Sequence, residues 1–141
     1  MNLEKMIEIK KRLNEWSNKN KLDIVWQRQT YLTDMLDKIH KYYLNNGEYE
    51  QINSLCEMAI LTLCVIEDRD INEELVENYE HSFIFKVNGV LGNLQAIAFY
   101  NQKNTNYSCY LNEYRSILIS VLNELDSLNM DYIKCLEERI K

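Results

Sequence analysis

The sequence predicts an all-α protein, an antiparallel helical bundle, and two observations support this prediction. The 141 residues include no proline and only three glycines, whereas folds built from strands and tight turns usually need more of both. Apolar residues also recur at steps of three and four along most of the chain, which is the spacing of one face of an α-helix. A chain of this length can form one core, so we expect residues 1–141 to form a single helical domain.

Polar segments divide the chain into predicted helices. The clearest breaks are residues 17–21, 45–47 and 101–106, where polar residues interrupt the apolar spacing. The segment 82–87 also fits a strand locally, although we assign it to a helix. The predicted helices cover residues 2–18, 23–44, 48–67, 70–80, 82–101 and 107–128, with a last short helix after Asp131.

Two local signals refine these helices. Residues 70–73 read D-I-N-E, which has the form of a capping box and starts a short acidic helix. Gly89 and Gly92 interrupt the fifth predicted helix, where glycine costs stability. We therefore expect these glycines to allow the close approach of a neighbouring helix.

Two of the predicted helices have distinctive faces. In the third helix, residues 58–66 are apolar on every side except at Thr62, so this helix should lie inside the bundle. The second helix carries an apolar stripe, with Asp34 on the opposite side. The stripe consists of Leu32, Leu36, Ile39 and Tyr43.

Two parts of the chain share one pattern. In residues 23–67, and again in 82–128, a helix is followed by a loop and by a more apolar helix. This pattern is consistent with an internal duplication, and it also fits any series of four antiparallel helices. Both interpretations remain open.

Charge and hydropathy disfavour several classes of partner. The net charge of −6 argues against a nucleic-acid backbone as the main partner, because phosphate contacts need a basic face. No apolar stretch reaches the ~18 residues of a membrane span, and the N-terminus does not have the pattern of a signal peptide. The four cysteines show no CxxC spacing, which favours free thiols in a reducing cytoplasm over disulfides or a zinc site. We expect a cytoplasmic protein that contacts neither nucleic acid nor membrane.

Three carboxylates near the hinge at residues 45–47 have two interpretations. Asp34 and Asp37 are each followed by a lysine four residues later, the order that favours ion pairs on a solvated helix face. Glu57 sits where the third helix becomes apolar, so it should be paired, protonated or bound to a cation. Asp34 and Glu57 are nearly equally far from the hinge, so antiparallel helices place them at similar heights. The rotation of each helix about its axis remains open.

The segments on either side of the hinge resemble a known pair of motifs. Residues 30–35 read T-Y-L-T-D-M and residues 53–58 read N-S-L-C-E-M, with a loop of suitable length between them. This resembles the MazG-type nucleotide pyrophosphohydrolases and the related dimeric dUTPases, which are all-α. Their marker is a helix reading roughly E-E-L-G-E-L, followed by one reading roughly D-E-L-A-D-V. Residues 13–20 and 130–141 also look like the lead-in and closing segments of small phage-type members.

The resemblance implies a MazG-like bundle that hydrolyses nucleoside triphosphates to a monophosphate and pyrophosphate. In this family, acidic residues hold magnesium against the triphosphate. Tyr31 and Lys38 would contact the substrate here. The candidate ligands for magnesium, or manganese, would be Asp34, Glu57, Asp37 and Glu113.

The resemblance also implies a homodimer, with a single chain carrying two bundle halves as the alternative. Of the motifs' acidic positions, only Asp34 and Glu57 keep a carboxylate. This reduced set leaves a second function open. In that function the chain is a catalytically inactive MazG-like module that binds a nucleotide or a protein partner.

Overall fold

The computed structural model describes residues 1–44, 47–81 and 88–140. Within these residues the chain forms α-helices and a short 3₁₀ turn, with no strand, so the predicted all-α class is confirmed. No helix in the described ranges is long and apolar enough to cross a membrane. The helices are α1 (Leu3–Lys19), α2 (Ile24–Leu44), α3 (Glu48–Val65), α4 (Glu73–Glu80), α5 (Asn88–Lys103), α6 (Tyr107–Ser127) and α7 (Tyr132–Arg139), and the 3₁₀ turn is Asp68–Asp70.

Four helices form the body of the bundle. α2 packs against α3, α3 against α6 and α6 against α5, and these are the most extensive helix contacts. The two helix pairs of the predicted repeat, α2–α3 and α5–α6, therefore meet along α3 and α6. This arrangement suits an internal duplication and a simple four-helix series alike.

α3 is the central helix, as its apolar composition predicts. Every residue of 58–66 is buried or partly buried, and α1, α2, α6 and α7 all contact this helix. The same chain therefore supplies the cover that α3 needs. A homodimer remains a prediction drawn from the family resemblance.

The C-terminus of α3 is capped by cations from two other helices. Lys10 of α1 is 4% exposed, and its Nζ donates a hydrogen bond to the carbonyl of Leu63 at 2.8 Å. Arg28 of α2 donates through Nε and Nη2 to the carbonyl of Val65, at 3.2 and 3.1 Å. The last carbonyls of a helix have no intrahelical partner and carry partial negative charge, so both cations stabilise this buried end. Burial lowers the pKa of Lys10.

The rotation of α2 differs from the predicted one. Tyr31, Met35 and Ile39 face the core, whereas Leu36 and Tyr43 are 45% and 50% exposed. Both sets of residues have helical spacing, and Ile39 belongs to both. Packing against the rest of the bundle selects the set that includes the large Tyr31 ring, so the predicted stripe was wrong at two of its positions.

The start of α4 also differs from the predicted capping box. Asn72 is the N-cap, and its side chain accepts a hydrogen bond from the amide of Leu75. Asp70 lies in the 3₁₀ turn instead, where its Oδ2 accepts a hydrogen bond from the Tyr107 hydroxyl at 3.0 Å. The helix begins later than predicted because Asp70 is engaged by α6.

Gly89 and Gly92 do not have the role that the sequence predicts. A Cβ atom added at Gly89 or Gly92 would meet nothing within 4 Å, so the expected close approach of a helix was wrong. Gly47, the N-cap of α3, has φ +127°, a conformation that side-chain-bearing residues rarely adopt. Of the other local predictions, the strand-like segment 82–87 and the hinge residues 45–46 lie outside the described residues.

The cysteines are free thiols, as their spacing predicts. Cys56 on α3 and Cys135 on α7 are buried, and burial raises the pKa of the Cys56 thiol to about 12. Both buried thiols pack as small apolar residues of the core.

Replacement of Gly92 by alanine should stabilise the protein. The position is inside α5 and has open space beside it, so alanine should raise the free energy of unfolding by about 0.5–1 kcal/mol. Urea unfolding measures the change. Gly47→Ala should act in the opposite direction because of its positive φ, and a destabilised Gly92→Ala variant would contradict the prediction.

Replacement of Lys10 by methionine should destabilise the bundle. It keeps the length of the side chain but leaves the buried carbonyl of Leu63 without its cation, at a cost of about 1–3 kcal/mol. Lys11→Met, at the exposed neighbouring position, is the matched control. Equal unfolding free energies for the two variants would show that the cap is unimportant.

Candidate functional site

A polar cluster joins α2, α3 and α7 around Glu57. Lys38 Nζ lies 2.9 Å from Glu57 Oε2, and Asn53 Nδ2 donates to Glu57 Oε1 at 3.4 Å. Arg139 of α7 donates through Nε to Asn53 Oδ1 at 3.2 Å. We call Lys38, Asn53, Glu57 and Arg139 the Glu57 cluster. In this structure Glu57 is an ion-paired carboxylate.

Lys38 bridges two carboxylates. Besides its contact with Glu57, its Nζ lies 3.8 Å from Asp37 Oδ2. The hydrogen bond to Glu57 raises the pKa of the Lys38 ammonium, and partial burial opposes this effect. Lys38 is therefore charged at neutral pH, and its charge is directed toward α3.

The two aspartates of α2 have different surroundings. Asp37 is exposed and pairs with Lys41 at 3.3 Å, which is the predicted contact between residues four apart. Asp34 is partly buried and forms no ion pair within the described ranges, because Lys38 reaches Glu57 instead.

Glu113 belongs to the other helix pair. It lies on α6, and its Oε2 accepts a hydrogen bond from Asn93 Nδ2 of α5 at 2.9 Å. Among the residues that the structure describes, no three His, Cys, Asp or Glu side chains are arranged to hold a metal ion. The structure therefore does not bring Asp34, Asp37, Glu57 and Glu113 together in one group of ligands.

The Glu57 cluster does not fit the magnesium ion that the resemblance implies. Magnesium prefers about six oxygen ligands in octahedral array, and a site made by one or two carboxylates needs further oxygens around it. Here the charged neighbours of Glu57 include the Lys38 ammonium, which provides no oxygen and repels a divalent cation. The ammonium already neutralises the carboxylate that the ion would need.

Tyr31, a predicted substrate contact, lies in the core. It is 1% exposed, and its hydroxyl shares a hydrogen bond of 2.8 Å with Thr62 Oγ1. Its ring packs edge-on against Tyr114, with centroids 5.0 Å apart. Burial strongly raises the pKa of the Tyr31 hydroxyl.

A second candidate site lies between the start of α2 and the turn from α5 to α6. This cleft has a volume of about 450 Å³, within the range of small-molecule sites. Three tyrosines of α6 line it, Tyr107, Tyr110 and Tyr114, and we call it the tyrosine cleft. The opposite wall includes Val25, Arg28 and Gln29 of α2, with Asn101 and Asn104 at the turn.

Two polar side chains of the tyrosine cleft, Tyr107 and Arg28, are held in place by the surrounding structure. The Tyr107 hydroxyl donates to Asp70 and accepts a hydrogen bond from the amide of Glu67 at 2.9 Å. The Arg28 guanidinium lies over the Tyr107 ring, 4.3 Å from its centroid. Burial raises the pKa of Tyr107 to about 12, so its hydroxyl is neutral at physiological pH. This part of the cleft wall is thus preformed.

Sequence reasoning missed the tyrosine cleft, although a signal was present. The three tyrosines recur at steps of three and four, so they share one face of α6. That α2 supplies the opposite wall depends on the tertiary fold and has no local signal. Comparisons of the chain with protein-family models, curated proteins and solved structures find no match.

Replacement of Tyr31 by phenylalanine should change the pH dependence of stability. At neutral pH the lost hydrogen bond should cost about 1 kcal/mol. Because the folded-state pKa of Tyr31 is raised, the folded protein holds a proton that the unfolded chain releases above pH ~10. This contribution to stability is complete below pH ~10 and falls by about 1.4 kcal/mol per pH unit above it.

The variant should therefore be the less stable protein at neutral pH and should lose less stability between pH ~10 and pH ~11. Urea unfolding across this range measures both effects. Tyr49→Phe, at a ring that is 73% exposed, controls for the loss of a hydroxyl. Parallel stability curves for wild type and Tyr31→Phe would refute the prediction.

Proposed function

We propose that this chain is a catalytically inactive MazG-like helical module that binds a nucleotide or a protein partner. The observation that most supports the proposal is the ion pair between Lys38 and Glu57, at 2.9 Å. At the motif position where the resemblance implies a carboxylate facing a metal ion, the positive charge comes from a side chain of the same bundle. Tyr31 and Ser54, at two other motif positions, are buried and carry no carboxylate.

The ion pair also gives Glu57 a partner from the same chain. A partly buried carboxylate between two helices is costly unless it is paired. Lys38 supplies the partner from α2, and Asn53 adds a hydrogen bond from one turn earlier on α3. The helix pair that the motifs would use for catalysis is thus held together by its own side chains.

A second candidate is the magnesium-dependent nucleoside triphosphate pyrophosphohydrolase. Asp34 favours it, because this partly buried carboxylate has no ion pair among the described residues and precedes Lys38 by one helical turn. In that case Asp34 and Glu57 would act as ligands, with Asp37 or Glu113, after Lys38 had moved away.

A panel of nucleoside triphosphates, each with magnesium or manganese, distinguishes the two functions. We expect no release of pyrophosphate above the background of the buffer. Release by the wild type that Glu57→Gln abolishes, while the variant keeps its helical circular dichroism, would establish the hydrolase instead.

Replacement of Lys38 by methionine should create a response to divalent ions. In the wild type we expect magnesium and manganese to leave the melting temperature unchanged. Lys38→Met removes the ammonium and should cost about 0.5–1 kcal/mol in the absence of ions. It leaves Glu57 without its cationic partner, so millimolar manganese should raise the melting temperature of this variant.

Lys41→Met is the matched control, because Lys41 is also on α2 and, among the described residues, its ion pair is with Asp37. It should show no response to ions, and the double variant Lys38→Met/Glu57→Gln should lose the response. A wild type that manganese stabilises as much as Lys38→Met would contradict the inactive-module proposal.

A further inference from the structure

The walls of the tyrosine cleft combine two kinds of surface. One is aromatic: the partly exposed rings of Tyr107 and Tyr110 both pack against the buried Tyr114 ring, with centroids 6.5 and 6.1 Å from it. The other is made of amides from the start of α2 and from the turn between α5 and α6. Aromatic faces favour a flat ring, whereas amides favour a ligand with both donors and acceptors on its edge.

The amides at the rim have hydrogen-bonding capacity to spare. The side chains of Gln29 and Asn104 are exposed and form no hydrogen bond with the other described residues. Asn101 uses its Oδ1 to accept from the Tyr110 hydroxyl at 2.9 Å, which leaves its amide NH₂ available. These groups could match the edge of a nitrogen heterocycle, which alternates donors and acceptors.

The charge of the cleft disfavours recognition through phosphates. Arg28 is the one charged side chain among its described lining residues, and its guanidinium already donates to the Val65 carbonyl. Glu67 Oε1 lies 3.8 Å from this guanidinium and offsets its charge. The protein as a whole carries a net charge of −6. The phosphates of a triphosphate would therefore gain little binding energy here. A neutral ring needs no cation, so the charge of the cleft does not weaken its binding.

From these observations we infer that the tyrosine cleft binds a neutral, planar nitrogen heterocycle of the nucleobase class, by its ring face and edge and without metal or phosphate. This inference names the partner class of the proposed module, and so it rests on that function. The site itself is separate from the Glu57 cluster, so the two can be tested independently.

Titrations with the four ribonucleosides, with their triphosphates and with phenol test the inference. The readout is the change in the ring resonances of Tyr107, Tyr110 and Tyr114 by NMR. We expect at least one nucleoside to bind more tightly than phenol and no more weakly than its own triphosphate, with or without magnesium. Magnesium-dependent binding that favours the triphosphate would overturn the inference, and so would equal binding of phenol.

Two substitutions of equally exposed residues on one helix provide the structural control. Val25 and Leu44 are both 61% exposed, at opposite ends of α2, and only Val25 lines the cleft. Val25→Trp should fill the cleft and weaken nucleoside binding by roughly tenfold or more, whereas Leu44→Trp should not change it. Equal affinities for the two variants would place the ligand elsewhere and overturn the inference.

Gln29→Leu separates recognition of the edge from recognition of the ring. It keeps the bulk of an exposed side chain and removes its amide, so it should weaken nucleoside binding and leave phenol binding unchanged. Unchanged nucleoside affinity would refute recognition through this amide. The melting response of Lys38→Met to manganese reports only on the Glu57 cluster, whereas the nucleoside titrations report on the tyrosine cleft. A result that refutes binding in the cleft is therefore distinct from one that refutes the inactive-module proposal.

Discussion

The architecture depends on satisfying the buried C-terminus of α3. A helix that is apolar on nearly all sides is stable only when other helices surround it, and its last carbonyls then lose access to water. Lys10 from α1 and Arg28 from α2 resolve this conflict by donating to those carbonyls. The requirement fixes the approach of both outer helices, and with it the height and rotation at which α2 presents its polar residues.

The rotation of α2 explains why the helices could be predicted and the site could not. Spacing along the sequence identifies a helix and its length, and the apolar run of α3 identifies the interior element. On α2 two overlapping stripes compete, and tertiary contacts decide between them: Arg28 reaches the end of α3, and Tyr31 packs against Tyr114 and Thr62. Asp34 on α2 and Glu57 on α3 are nearly the same number of residues from the hinge, so the sequence predicts that they lie at similar heights along the two helices. The rotation of α2 then lets Lys38 form the ion pair with Glu57.

Each of the two helix pairs contains a glutamate that is contacted by a side chain of the other helix. In each pair, a glutamate of the second helix contacts a side-chain nitrogen of the first. Lys38 Nζ pairs with Glu57, and Asn93 Nδ2 donates a hydrogen bond to Glu113. A cation serves in one pair and a neutral amide in the other, although both glutamates are partly buried. Each partly buried glutamate thus has a side-chain partner on the neighbouring helix. These contacts join the two helices of each pair.

Arg28 connects the core to the surface. Its Nε and Nη2 atoms complete the end of α3, and the flat face of the same guanidinium forms part of the wall beside Tyr107. Lysine has neither the planar shape nor the paired donors for both contacts. Homologous chains that vary at most surface positions should therefore retain arginine here, because a single substitution would remove one of the two cations at the end of α3 and reshape the wall of the cleft at once.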